Sequence, residues 1–111
     1  MLDSMNIVLD RFTNGIQEIL GERLKQIILY GSYARGDYNK SSDIDIMILT
    51  NLTDEEISSA RDEISDLAFD LEMEYNVIIS PVIKNIDKFN YWLEVQPFYQ
   101  NVKNEGVVLS G

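Results

Sequence analysis

Two aspartates one residue apart, Asp43 and Asp45, stand in the otherwise apolar run DIDIMIL. Side chains two apart on an extended segment point the same way, so the carboxylates would share one face of a strand while Ile44, Ile46 and Ile48 share the other. The strand rise sets their Cα atoms roughly 6 to 7 Å apart. Like charges that close repel, so the pair needs a cation between its members or free access to water. Upstream, the run QIILY closes on Gly31 and Ser32. A strand passing there into a turn or short helix leaves backbone N–H groups without partners, and phosphate oxygens fit such a place. Gly31 has no side chain to obstruct a ligand, and the Ser32 hydroxyl can donate to a phosphate oxygen. Arg35 or Lys40 would add positive charge. Two carboxylates joined by Mg²⁺ to a triphosphate form an arrangement that activates an attacking oxygen and neutralises a leaving pyrophosphate.

The composition supports this chemistry by what it excludes. The chain contains no cysteine and no histidine, which removes disulfides, thiol nucleophiles, thiolate zinc sites, imidazole bases and Ser-His-Asp triads. Carboxylates, hydroxyls, amines and backbone amides remain, and their natural metal is a hard, oxygen-preferring cation such as Mg²⁺. Nineteen acidic residues stand against nine scattered basic ones, a formal net charge of -10. Direct nucleic-acid binding is therefore not expected, because a phosphate-binding surface normally gathers Lys and Arg into a patch. No apolar stretch approaches the ~20 residues of a membrane span, and the first residues lack a basic segment followed by an apolar one. A cytoplasmic protein is expected. With 111 residues, 45% of them hydrophobic, residues 1–111 suit a single domain around one core.

The elements that must position the carboxylates can be read from periodicity. Val8, Leu9, Phe12, Ile16, Ile19 and Leu20 recur at spacings of three and four and predict an amphipathic helix over residues 4–24. Residues 26–30 read as an interior strand buried on both faces, and residues 43–49 as the second strand. Thr53 with Glu56 makes a capping box, followed by a helical stripe at Ile57, Ala60, Ile64, Leu67, Leu71 and Tyr75. Residues 76–83 read as a third strand, with Pro81 indicating an edge position or a bulge. Two further helical pieces follow, over residues 87–95 and from Pro97 to a stop at Gly106, and a short VVL closes the chain. The aromatic residues Phe89, Tyr91, Trp92, Phe98 and Tyr99 are expected chiefly in the core. This order gives an α/β (α+β) layer fold, a small mixed sheet with flanking helices.

Gly31-Ser32, ten intervening residues, then Asp43-Ile44-Asp45 on a strand resembles the signature of the DNA polymerase beta type nucleotidyltransferase superfamily. The string GSYARGDYNKSSDIDIMIL, the short chain and the ending PFYQNVKNEGVVL resemble its minimal nucleotidyltransferases, the MNT proteins. Many of these are antitoxins paired with an all-helical HEPN ribonuclease toxin. The resemblance covers about residues 27–83. It implies the nucleotidyltransferase fold, nucleotide phosphates at Gly31 and Ser32 with Arg35 nearby, and Mg²⁺ on Asp43 and Asp45 as the catalytic pair. The family's third carboxylate normally lies on the next strand and helps deprotonate the acceptor. Here that strand carries no acid, and Ser80 stands near the expected position, with Glu72 and Glu74 too early at a helix end.

The implied function is transfer of AMP from ATP to a tyrosine of a HEPN toxin. One alternative is an MNT module weakened in catalysis that neutralises its toxin by binding alone. Another is a small-molecule nucleotidyltransferase of the antibiotic-modifying kind, for which this chain lacks a second substrate domain unless a homo-oligomer builds one.

Overall fold

A computed structural model describes residues 3–39 and 41–110, so Lys40 lies outside the described residues. In chain order the elements are α1 (Asp3–Leu20), a 3₁₀ turn (Gly21–Arg23), β1 (Leu24–Tyr30), α2 (Ser32–Arg35), β2 (Ile44–Thr50), α3 (Asp54–Tyr75), β3 (Ile79–Asn85), α4 (Ile86–Trp92), α5 (Pro97–Glu105) and β4 (Val107–Ser110). The sheet runs β3-β2-β1-β4. β1 is antiparallel to both β2 and β4, while β2 and β3 are parallel. The expected mixed sheet with flanking helices is present. The parallel pair requires a crossover, which α3 supplies. Among the described residues no helix is long and apolar enough to cross a membrane.

Alternation along the strands divides the core in two. Ile27 and Leu29 of β1 and Ile44, Ile46 and Ile48 of β2 pack with Phe12 and Ile16 of α1 and Ile64 and Leu71 of α3. The opposite face buries Ile28, Met47 and Leu49 against Phe89 of α4 and Val102 of α5. β2 is thus buried on both sides, as a near-continuous apolar run in a central strand should be.

Several boundaries differ from those read off the sequence. The first helix stops at Leu20 because Gly21 takes φ +55°, and Leu24 already belongs to β1. α3 keeps its capping box, with the Thr53 side chain accepting from Glu56 N–H and the Glu56 side chain accepting from Thr53 N–H. Its end consumes the start of the expected third strand. Asn76 caps it at φ 55°, a left-handed conformation that asparagine tolerates, and pairing begins only at Ile79. The bond from Ile44 N–H to Ile78 O (2.8 Å) sets the ladder's phase, turning the Ser80 N–H toward β2 and positions 79 and 81 outward. Glu72 Oε2 accepts the outward Ile79 N–H at 3.0 Å, and Pro81 has none to offer. This blunts β3 as the edge strand that Pro81 suggested.

The aromatic group departs most from expectation. Phe89 is buried and Tyr99 half-buried, but Tyr91, Trp92 and Phe98 are 74%, 43% and 46% exposed. α4 and α5 are short and each drives one side chain fully into the core, Phe89 and Val102. Their remaining aromatic positions have no sheet left to cover. The terminal VVL is a strand whose pairing was not foreseen, closing the β1 edge.

Candidate functional site

The site forms where β1 and β2 end side by side. Tyr30 and Asp45 are register partners across the antiparallel pair, so the phenol and the carboxylate stand next to each other on one face. The chain leaves β1 through Gly31 at φ 74°, ψ −154°, a region closed to L side chains. A Cβ there would also fall on Asp45 Oδ2. Glycine is required twice over, by the turn and by the neighbouring carboxylate. Bonds from Ala34 and Arg35 N–H to Gly31 O (3.1 Å each) begin the single turn of α2, which Gly36 ends at φ 86°. The N–H groups of Ser32 and Tyr33 precede those first helical donors. Tyr33 anchors the turn by its burial and stacks on Tyr38 at 4.3 Å between centroids.

The descent to the aspartates is a tight polar loop. Ser41 N–H donates to Asn39 Oδ1 (2.8 Å), Asn39 N–H to Ser42 Oγ (2.9 Å) and Ser42 N–H to Asn39 O (3.1 Å). Asp43 is exposed one residue before β2, not within it, and Asp45 is half-buried as the strand's second residue. On the far side Ser80 is the register partner of Asp45, and its hydroxyl donates to Asp43 Oδ2 at 3.2 Å. The sequence-predicted Asp43, Asp45 and Ser80 therefore do meet. Glu72 is held at the Ile79 amide and Glu74 pairs with Arg11, so neither joins them. Among the described residues no third acidic side chain completes a metal-ligating group.

Asp45 carries the electrostatic tension of the site. Burial raises its carboxyl above the usual range, Asp43 raises it further, and Arg35 pulls it back. Tyr30 beside it is pushed up to about 12, mainly by burial and then by the Asp45 charge. A cation on the two aspartates would relieve the repulsion. The donor set fits a hard divalent cation: two carboxylates and a hydroxyl, with neither imidazole nor thiolate in the chain.

A cavity of about 410 Å³ opens on the β1 side of Asp45. Gly31, Ser32, Tyr30 and Asp45 make one wall, and α5 makes the other with Phe98, Asn101 and Glu105. Arg35 lines it as expected, but its guanidinium is engaged, donating to Asp37 at 3.2 Å and Glu105 at 3.3 Å. Those two bonds, Asp37 first, raise its pKa. The α5 wall escaped sequence reasoning. Its signal was the stripe 98, 101, 102, 105, in which two polar residues sit at the spacing of a buried helix face.

Against known proteins, the model of a family described as "Nucleotidyltransferase domain" matches residues 9–109. A Methanocaldococcus jannaschii protein provisionally named as a protein adenylyltransferase is 38% identical over 98 residues, 88% of this chain and 90% of its own length. Among solved structures, a chain of a toxin-antitoxin determined with AMP-PNP superposes with a TM-score of 0.58 at 25% identity, covering 99% of this chain and 74% of its own. A chain from the complex of a tri-AMPylated Shewanella oneidensis HEPN toxin with its MNT antitoxin gives a TM-score of 0.55 over 96% and 71%; at 22% identity it shows the shared fold alone.

Proposed function

The chain belongs to the nucleotidyltransferase domain family, and from that premise we propose that it is a single-domain, Mg²⁺-dependent adenylyltransferase that moves AMP from ATP to a tyrosine hydroxyl of a HEPN-type toxin. One observation carries the reading: Asp45 has the Gly31-Ser32 turn and a nucleotide-sized cavity on one side, and Asp43 with Ser80 on the other. The first side suits the nucleotide and the second the acceptor. Gly31 and Ser32 would receive phosphate oxygens through backbone N–H groups and the hydroxyl, with Arg35 adding charge once it turns from Glu105. Asp43 and Asp45 would hold Mg²⁺, which when bound offsets the charge of the reacting phosphate and the departing pyrophosphate.

In the transfer, the tyrosine oxygen forms a bond to the α-phosphorus while the bond from that phosphorus to the bridging oxygen breaks. Pyrophosphate leaves with the electron pair. The phenolic proton must go elsewhere, and Ser80, a hydroxyl, is not a base at neutral pH. Water or a phosphate oxygen takes it, so transfer is slow relative to an enzyme with a carboxylate there. A cytoplasmic location follows from ATP as substrate and an intracellular toxin as acceptor.

The same Ser80 supports the second reading, a module that neutralises its toxin by contact and has given up transfer. Incubation with a cognate HEPN protein, ATP and Mg²⁺, followed by intact-mass analysis, separates the two. Adenylyl transfer predicts an AMP adduct on a toxin tyrosine that disappears with Asp45→Asn. Toxin neutralised without an adduct, equally well by wild type and Asp45→Asn, leaves only the contact module.

A further inference from the structure

On the nucleotide reading, a triphosphate at Gly31, Ser32 and Asp45 would occupy only the strand-end wall of the cavity. The opposite wall, on α5, has a different character. Phe98 exposes its ring there and meets Tyr30 edge-to-face at 5.6 Å and 84°. One helical turn on, Asn101 brings a carboxamide to the same cavity. The segment carrying both is fixed from beneath, because Val102 is buried in the core. Gly106 closes the helix through its N–H to Val102 O (2.9 Å), pressed so closely on Ile28 that no larger residue fits. Phe98 and Asn101 are therefore presented on a rigid element.

We propose that Phe98 and Asn101 form a nucleobase subsite that selects adenine over guanine. The inference rests on the nucleotide reading of the cavity and adds what its α5 wall recognises. An aromatic face beside a carboxamide, one helical turn from the Glu105–Arg35 pair, suits a flat heterocycle with a hydrogen-bonding edge. Every base has a π-face to offer Phe98, so stacking gives affinity without choice. Asn101 supplies the choice. Its carboxamide pairs one donor with one acceptor, matching the adenine N7 acceptor and N6 amino donor, whereas guanine presents two acceptors, N7 and O6, along the same edge. The carboxamide can serve only one of these, and its oxygen is left facing an acceptor.

Inorganic triphosphate, ATP and GTP, each with Mg²⁺, distinguish the phosphate site from the base subsite when titrated calorimetrically into the full chain. Wild type should bind ATP roughly 10-fold or more tighter than GTP, and ATP tighter than triphosphate. Asn101→Ala should bring ATP and GTP together while leaving triphosphate unchanged. Phe98→Ala should weaken both nucleotides roughly 10-fold and again leave triphosphate unchanged. Both side chains are exposed, and thermal melts without ligand confirm that the variants fold. Equal binding of ATP and triphosphate by wild type overturns the subsite, as does an ATP preference that survives Asn101→Ala. Failure of triphosphate itself to bind removes the nucleotide reading along with it.

Discussion

The two faces of the sheet are built to different standards. Beneath α1 and α3, eighteen buried residues among those described form one cluster, with Phe12, Ile16, Ile27, Ile44, Ile46 and Ile48 wholly hidden. Beneath α4 and α5 the corresponding cluster has five. The first face has long amphipathic helices to cover it, of 18 and 22 residues, and the second has helices of 7 and 9. Asp45 opens on the thin face, since its side chain alternates with the buried Ile44 and Ile46 and so lies with Met47 and Leu49. A site needs a cavity and ligand access, which a sealed face cannot offer. Stability is concentrated on one side of the sheet and chemistry on the other.

The largest test of that division is Phe12→Ala. It removes a fully buried ring from the thick face and should destabilise the fold by about 3–5 kcal/mol, read as a shift of the urea midpoint. The folded fraction should bind Mg²⁺-ATP with wild-type affinity. A loss of affinity without loss of stability would show that the two faces are not separate.

Ser80→Asp acts on chemistry instead. A carboxylate at this position faces Asp43, so the metal-free protein should lose stability through like-charge repulsion, and Mg²⁺ should restore it. If the new group reaches the acceptor's proton, adenylyl transfer should rise by up to ~10². Ile79→Asp and Pro81→Asp, whose positions face the other way, should give no gain. A gain at Ile79 would place the register one residue out, and no gain at any of the three, with Mg²⁺-ATP still bound, would favour the contact module.

Gly31→Ala should destabilise by ~1–3 kcal/mol from the positive-φ, extended-ψ backbone alone, a region that only glycine adopts readily. Because its methyl displaces the Asp45 carboxylate, metal-dependent nucleotide stabilisation should fall further than stability does, as measured by thermal shift with and without Mg²⁺-ATP. Equal losses in both would mean that Asp45 tolerates the displacement.

The smallest expected effect is electrostatic. Asp45 holds its proton more tightly when folded, chiefly because of burial. Such a group contributes stability below its unfolded carboxylate range and loses that contribution as pH rises through its raised folded value. Asp54 and Glu56, whose carboxyls are lowered by Lys88 and by the Thr53 N–H, act in the opposite direction, so the contribution of Asp45 is read as the difference between wild type and Asp45→Asn. In parallel metal-free melts at increasing pH, wild type should lose stability relative to Asp45→Asn as pH climbs out of the acid range. A difference that stays constant with pH would show that Asp45 does not contribute.

The features determined by the sequence are those whose physics is local. The Thr53–Glu56 capping box needs only three intervening bonds of helix, the φ of Gly31 belongs to its own backbone, and alternation alone puts Asp45 opposite Ile44 and Ile46. Pro81 marked an edge because it has no N–H to pair. Ser80 was pointed to by the family resemblance alone, and the parallel register sets it beside Asp45. The tertiary structure decided whatever depends on partners distant in the chain. Asn76 takes a left-handed turn, delaying β3 until it can pair with Ile44. Pairing of β4 with β1 joins segments some eighty residues apart, with no pattern in VVL to name the partner. Arg35 is held partly by Asp37 two residues on, but its bond to Glu105, 70 residues on at 3.3 Å, exists only in the assembled fold. The exposure of Trp92 and Phe98 depends on how much sheet remains for short helices to cover, which no window of sequence contains. Periodicity fixes which way a side chain points along its own element, and only the assembled layers fix what it meets there.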